Sequence, residues 1–295
     1  MKIKSAALLL IPTLLLMLVA CGSQPPQLAI AGRDNGNMEI LLLTVEAEDG
    51  SQVSRTNLSQ SPNFAEIQPA WSPDGQQIAF VSARDENIDI YVMDADGRNQ
   101  IRLTSDPARD AYPAWSPDGR QIAFVSDRNG SDDIFVMDAD GTNARALTSD
   151  PAQESTPAWS PDGQRIAFTS QHPGRDEIFV MDADGRNQEQ LTTSNGASAA
   201  PAWSPDGSKI AFMSGQGDIF AIFVMDADGQ NPTRLTNNPA GDAFPSWSPD
   251  GQYLAFVSNR DGSFAIYRMK VDGSEQVRLS PTGSEEDLYP VWQPN

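Results

Sequence analysis

Apolar residues in this chain come in short runs divided by turn-forming residues, and the whole pattern recurs. In one unit, Pro69-Ala70-Trp71 is a short apolar strand. The turn Ser72-Pro73-Asp74-Gly75 follows, where Pro presets φ, Asp can bond its own backbone and Gly accepts positive φ. Gln77-Ile78-Ala79-Phe80-Val81 is apolar on both faces, as expected of a strand buried on both sides. A variable loop then leads to Asp89-Ile90-Tyr91-Val92-Met93 and a second tight turn, Asp94-Ala95-Asp96-Gly97. Ile101-Arg102-Leu103-Thr104 completes the unit before the next Pro-Ala-Trp. Beyond the first 20 residues no helical spacing occurs, so the chain is predicted to be all-β.

Trp-Ser-Pro-Asp-Gly begins at Trp71, Trp115, Trp159, Trp203 and Trp247, every 44 residues, and a degenerate copy closes the chain at Trp292. A period of this length marks a stacked or circular repeat. Second strands buried on both faces require each four-stranded sheet to pack between two neighbours, which radial sheets achieve. The ends support closure. Residues 28–31, 39–45 and 53–58 read as second, third and fourth strands without a first, and Tyr289-Pro290-Val291-Trp292 supplies a first strand without the rest. The expectation is a six-bladed β-propeller of four-stranded antiparallel blades. Pairing of the N- and C-terminal strands in one blade closes it.

The first residues read differently. Lys2 and Lys4 precede an uncharged apolar run that ends in Leu18-Val19-Ala20-Cys21-Gly22. This is a secretory signal pattern, and the Cys after small residues resembles a bacterial lipobox. It implies a signal peptide over 1–20, lipidation of Cys21, a tether over 21–27 and the propeller over 28–295. The apolar run is short of the roughly 20 residues that cross a bilayer. Cys21 is the one cysteine in the chain, so no disulfide supports the exported fold. The 40 acidic residues against 20 basic ones give a net charge of -20, which opposes binding to nucleic acid. No cofactor or metal is expected, and the chain reads as a monomer.

The repeat Pro-Ala-Trp-Ser-Pro-Asp-Gly-x-x-Ile-Ala-Phe, followed by Asp-Ile-Tyr/Phe-Val-Met-Asp-Ala-Asp-Gly and Arg-Leu-Thr, resembles the PD40 (WD40-like) repeats of the TolB family. That resemblance implies a six-bladed propeller in the bacterial envelope, associated with the Tol-Pal system. It implies a partner that is an envelope protein or peptide. TolB-like proteins carry an α/β domain ahead of the propeller. Here only residues 22–27 lie between Cys21 and the first blade, so the expectation is a role borne by the propeller, at a lipid-anchored envelope position. If the source has an outer membrane, Gly22 after the Cys favours that membrane.

In such a meander the first–second and third–fourth turns share one face, and the loops that differ between blades share the other. On the turn face, Asp74, Asp118, Asp162, Asp206 and Asp250 recur with pairs such as Asp94 and Asp96, which reads as turn chemistry. Calcium is the alternative there, since these turns offer oxygen ligands. On the variable face the few cations of an acidic protein stand out: Arg84, Arg109, Arg128, His172, Arg175 and Arg260, expected to rim the axial channel or its edge and to bind a partner, with an ordinary ion pair to a neighbouring acid as the plainer reading of each arginine. Polysaccharide binding is the second reading, with Phe64, Tyr112, Phe220, Phe244, Phe264 and Tyr289 as candidate stacking residues. Catalysis has little support. No Gly-x-Ser-x-Gly occurs, since Gly196-Ala197-Ser198-Ala199-Ala200 fails at its last position, and His172 is the one histidine. A carboxylate-based glycan hydrolase or lyase is the enzymatic alternative.

Overall fold

The computed structural model describes residues 25–47, 49–171, 174–193, 196–217 and 219–294. The signal peptide expected over residues 1–20, Cys21 and His172 lie outside the described residues. The described chain forms six separate four-stranded antiparallel sheets. Blade 1 is Asp287–Trp292, Gln27–Asp34, Asn37–Val45 and Val53–Asn57, from axis to rim. Blade 2 is Glu66–Trp71, Gln77–Ser82, Asp89–Asp94 and Ile101–Arg102. Blade 3 is Asp110–Trp115, Gln121–Ser126, Asp133–Asp138 and Arg145–Ala146. Blade 4 is Glu154–Trp159, Arg165–Ser170, Glu177–Asp182 and Glu189–Gln190. Blade 5 is Ala197–Trp203, Lys209–Gln216, Ile219–Asp226 and Thr233–Arg234, and blade 6 is Asp242–Trp247, Tyr253–Ser258, Ala265–Lys270 and Val277–Arg278. The predicted closure is present: Leu28 pairs with Trp292, and Ala29 with Val291.

The core lies between blades. Phe80, Phe124, Phe168 and Phe256 on the second strands are fully buried, as are Met93, Met137 and Met269 at the ends of third strands. Each such side chain contributes about 1.5–3 kcal/mol by leaving water. The recurrent tryptophan is an inter-blade wedge. The indole N–H of Trp159 donates to the carbonyl of Ala114 in the preceding blade at 3.2 Å, and Trp203 and Trp247 repeat the bond to Ala158 and Ala202.

Two features differ from the sequence reading. The fourth strands are shorter than predicted, only two residues long in blades 2–6. Beyond them the leucine N–H of each blade still donates to the third-strand isoleucine carbonyl, as Leu103 does to Ile90, and a hydroxyl accepts from the isoleucine N–H: Ile90 donates to Thr104 Oγ1, and Ile134, Ile178, Ile222 and Ile266 do the same to Thr148, Thr192, Thr236 and Ser280. The inner strands begin earlier than predicted, before their proline, and each carries a bulge. Proline cannot donate to a ladder and is tolerated at an edge or bulge. Here it sits on the edge that faces the axis.

Candidate functional site

On the turn face the carboxylates bond within their own turns. Asp74 Oδ1 accepts from the Ser72 hydroxyl at 2.6 Å and from the backbone N–H of Gln76 at 3.1 Å. The hydroxyl bond is the main reason that its carboxyl lies below the ordinary range. Asp206, which accepts from Ser204 and also from the Ser208 hydroxyl, is lowered to about 2. Asp94 accepts from Asn99 at 2.6 Å, and Asp96 from the N–H of Arg98. Among the described residues no group of three His, Cys, Asp or Glu is placed to hold a metal.

The variable face is built differently. Its inner strands open with a buried acid: Glu66, Asp110, Glu154, Asp242 and Asp287, with Ser198 in blade 5. Three of the six cations singled out above clamp these acids. Arg84 reaches Glu66 at 2.9 Å, Arg128 reaches Asp110 at 2.9 Å, and Arg260 reaches Asp242 at 3.2 Å. Each guanidinium also donates to the serine two residues earlier and lies over an aromatic ring, Tyr91, Phe135 or Tyr267, at 4.4–4.8 Å from the ring centre. Arg109 pairs with Asp132 at 2.6 Å, and Arg175 lies exposed on the loop between the second and third strands of blade 4. None of the described five is among the residues that line the wall of the axial channel. The acid three residues before each proline is the functional partner that the sequence reading misses. It recurs in five units but lies inside segments that read as variable loops.

Blade 4 lacks an arginine clamp among the described residues. Glu154 is 1% exposed and accepts from the hydroxyls of Thr148 at 2.9 Å and Ser170 at 3.3 Å. Burial pushes its carboxyl up to about 8, and the neighbouring Asp150 and Asp133 add to the rise. It therefore holds a proton over most of the neutral range.

The channel itself is lined by the inner strands of all six blades and encloses about 380 Å³. Its variable positions are Gln68, Tyr112, Thr156, Ala200, Phe244 and Tyr289, the residues before each proline. All six sit at φ of 48–54°. A residue before proline is normally extended, and a non-glycine residue at positive φ costs roughly 1–3 kcal/mol. The bulge thus holds six strained residues whose identity changes from blade to blade. Three are aromatic and gather together: Phe244 and Tyr289 have ring centres 4.5 Å apart, and Tyr112 meets Tyr289 edge-on at 6.5 Å. Burial pushes the Tyr112 hydroxyl well above its ordinary value. Thr156 and Ala200, with small side chains, and Gln68, which accepts from the backbone N–H of Tyr112 at 2.9 Å, complete the ring. Of the other aromatics proposed for the face, Phe64 and Phe264 are exposed.

A disc of six blades around an apolar channel, with one uniform and one varied face, defines a repeat-built β-propeller. The chain belongs to the TolB β-propeller (PD40) family, whose model matches residues 26–194 and 133–295. It is similar to the Tol-Pal system protein TolB of Thioalkalivibrio sulfidiphilus, 36% identical over 73 residues, a match that covers 25% of this chain and 16% of that relative. Among solved structures it is similar to TolB from Acinetobacter baumannii, with 25% identity and a TM-score of 0.80, covering 93% of this chain and 68% of that one. A TolB-like protein from Agrobacterium tumefaciens shares the fold with 24% identity and a TM-score of 0.71, covering 92% of both chains.

Proposed function

We propose that this protein is a cell-envelope interaction scaffold that binds an envelope protein or peptide through its variable face and axial channel, without catalysis. The observation that carries the reading is the ring of six strained, blade-specific residues in the channel wall. Strain of this kind persists only where the surrounding structure enforces it, and it concentrates at ligand sites. Membership of the TolB propeller family supports the reading, as does similarity to a protein named for the Tol-Pal system.

The tether is part of the proposal. Gln27 opens the second strand of blade 1 at the turn face, beside Gly75, whose carbonyl accepts from Gln293. A lipid on Cys21 would lie within about 20 Å of Gln27 along the chain. The turn face would then look toward the membrane and the variable face away from it. Carboxylates on the turn face disfavour contact with anionic lipid, so the lipid and not charge would hold the protein there.

The test is capture of envelope proteins, crosslinked in cells, by the immobilised propeller. A Thr156→Arg variant with an unchanged circular dichroism spectrum serves as the control. One protein retained in stoichiometric amount by the wild type and lost by the variant is the expected result. Equal retention by both would remove the channel from the binding surface.

A further inference from the structure

Blade 5 keeps one arginine of a charge network whose acids it has lost. In blade 2, Arg102 meets Asp89 at 2.7 Å and Asp85 at 3.8 Å, and the Tyr91 hydroxyl donates to Asp85 at 2.8 Å. In blade 6, Arg278 meets Asp261 at 3.1 Å, and the Tyr267 hydroxyl also donates to Asp261. Arg234 occupies the same position in blade 5: it pairs with Phe223 as Arg102 pairs with Tyr91 and Arg278 with Tyr267. Its Nε donates to the Thr236 carbonyl at 2.6 Å, as Arg102 does to Thr104 and Arg278 to Ser280. The guanidinium is therefore anchored by the same backbone bond. Its partners are changed together. Gly217 stands where Asp85 and Asp261 stand, Ala221 where Asp89 stands, and Phe223 where the tyrosines stand. Among the described residues no carboxylate comes within ion-pair distance of Arg234. A cavity of about 520 Å³ opens beside it on the variable face, walled by Ser214, Gly215, Gln216, Ile219, Ala221 and Phe223.

We infer that this cavity is a binding site for a carboxylate carried on an apolar group. The ligand would stand where Asp85 and Asp89 stand in blade 2. Arg234 supplies a forked, permanently charged donor that matches a carboxylate in two-pronged geometry. The walls that replaced the acids are apolar or small, and Ile219 is 57% exposed, so a hydrocarbon substituent finds cover while the carboxylate meets the guanidinium. On a protein of net charge -20, a cation held in place without an acid partner among the described residues is the feature to explain. The site does not depend on the channel reading above.

The probes are N-acetyl-L-leucine and its amide, titrated into isotopically labelled protein and read at Arg234 Nε and at the backbone amides of Ala221 and Phe223. A short peptide ending in leucine, as free acid and as amide, separates a chain terminus from a small organic acid as the source. The titrations are run in the wild type and in Asp218→Asn, because Asp218 lies outside the described residues. Saturable shifts with the acids are expected. Affinity should fall roughly tenfold or more for the amides, and equally in Arg234→Gln. Ala221→Asp restores the acid of blade 2, and Gly217→Asp places the residue of Asp85 on a backbone with the same φ of 61°. Either should abolish binding by filling the site from within, with the melting temperature held or raised. Equal binding of acid and amide, binding that survives Ala221→Asp, or no shift in either background would overturn the inference.

Discussion

Replacing Glu154 by Gln tests how the variable face is stabilised, and its size can be worked from the structure. Glu154 is buried with no arginine paired to it among the described residues, and its carboxyl is raised from 4.5 to about 8. Between those values the folded state holds a proton that the unfolded chain releases. Stability from this group is therefore complete below about pH 4.5 and is lost as pH rises through about 8. Each tenfold difference in proton affinity between the folded and unfolded chain corresponds to about 1.4 kcal/mol. A rise from about pH 5 to about pH 8 would therefore cost at most about 4 kcal/mol, and partial solvation of the site brings the expected loss to about 2–4 kcal/mol. Glutamine keeps the shape, with one oxygen that accepts from one of the Thr148 and Ser170 hydroxyls and an NH2 that donates to the other, but it does not titrate. The assay is urea unfolding followed by tryptophan fluorescence at several pH values. His172 is replaced by Asn in both proteins, so that its own titration drops out. The two proteins should match near pH 5, and the glutamine variant should be more stable by about 2–4 kcal/mol near pH 8. Stability curves that run parallel across this range would refute the reasoning.

Removal of residues 289–295 takes away the inner strand of blade 1 and uncovers Leu28 and Ile30, so calorimetry should show a loss of roughly 5 kcal/mol or more; unchanged melting would contradict closure by paired termini. Arg128→Ala leaves Asp110 buried without its partner and should cost about 3–5 kcal/mol, whereas Arg128→Met with Asp110→Leu should recover much of it in a double-mutant cycle. Cys21→Ser should move the protein from the membrane fraction to the soluble fraction on centrifugation; retention in membranes would show that something other than a lipid holds it.

The repeat makes most of the fold legible. Periodic turns, two-faced second strands and complementary partial units at the two ends are sufficient to place six blades and the closing pair. The sequence misleads where local rules are broken. A residue before proline is expected to be extended, so nothing marks Gln68, Tyr112 or Phe244 as left-handed positions in a bulge. With the bulge hidden, the inner strands are expected to start too late, and Glu66, Asp110 and Asp242 fall among variable loops. Arg84, Arg128 and Arg260 can then be read as partner-binding cations or as arginines paired to some neighbouring acid, and only the folded blade shows which acid each closes on. The recurring threonine of Arg-Leu-Thr is visible, but its role as a hydroxyl clamp on the third strand depends on a register that only the folded sheet shows.

The central claim, that the variable face and channel meet an envelope protein, is tested most directly by photo-crosslinking in living cells with a benzophenone amino acid placed at one position at a time. Thr156, Tyr289, Ile88 and Phe264 sample the channel and the variable face, and Gln76, Gln164 and Gln252 sample the turn face. The account predicts one discrete protein adduct from the first group and none from the second. Adducts confined to the turn face, or none from any channel position, would contradict it.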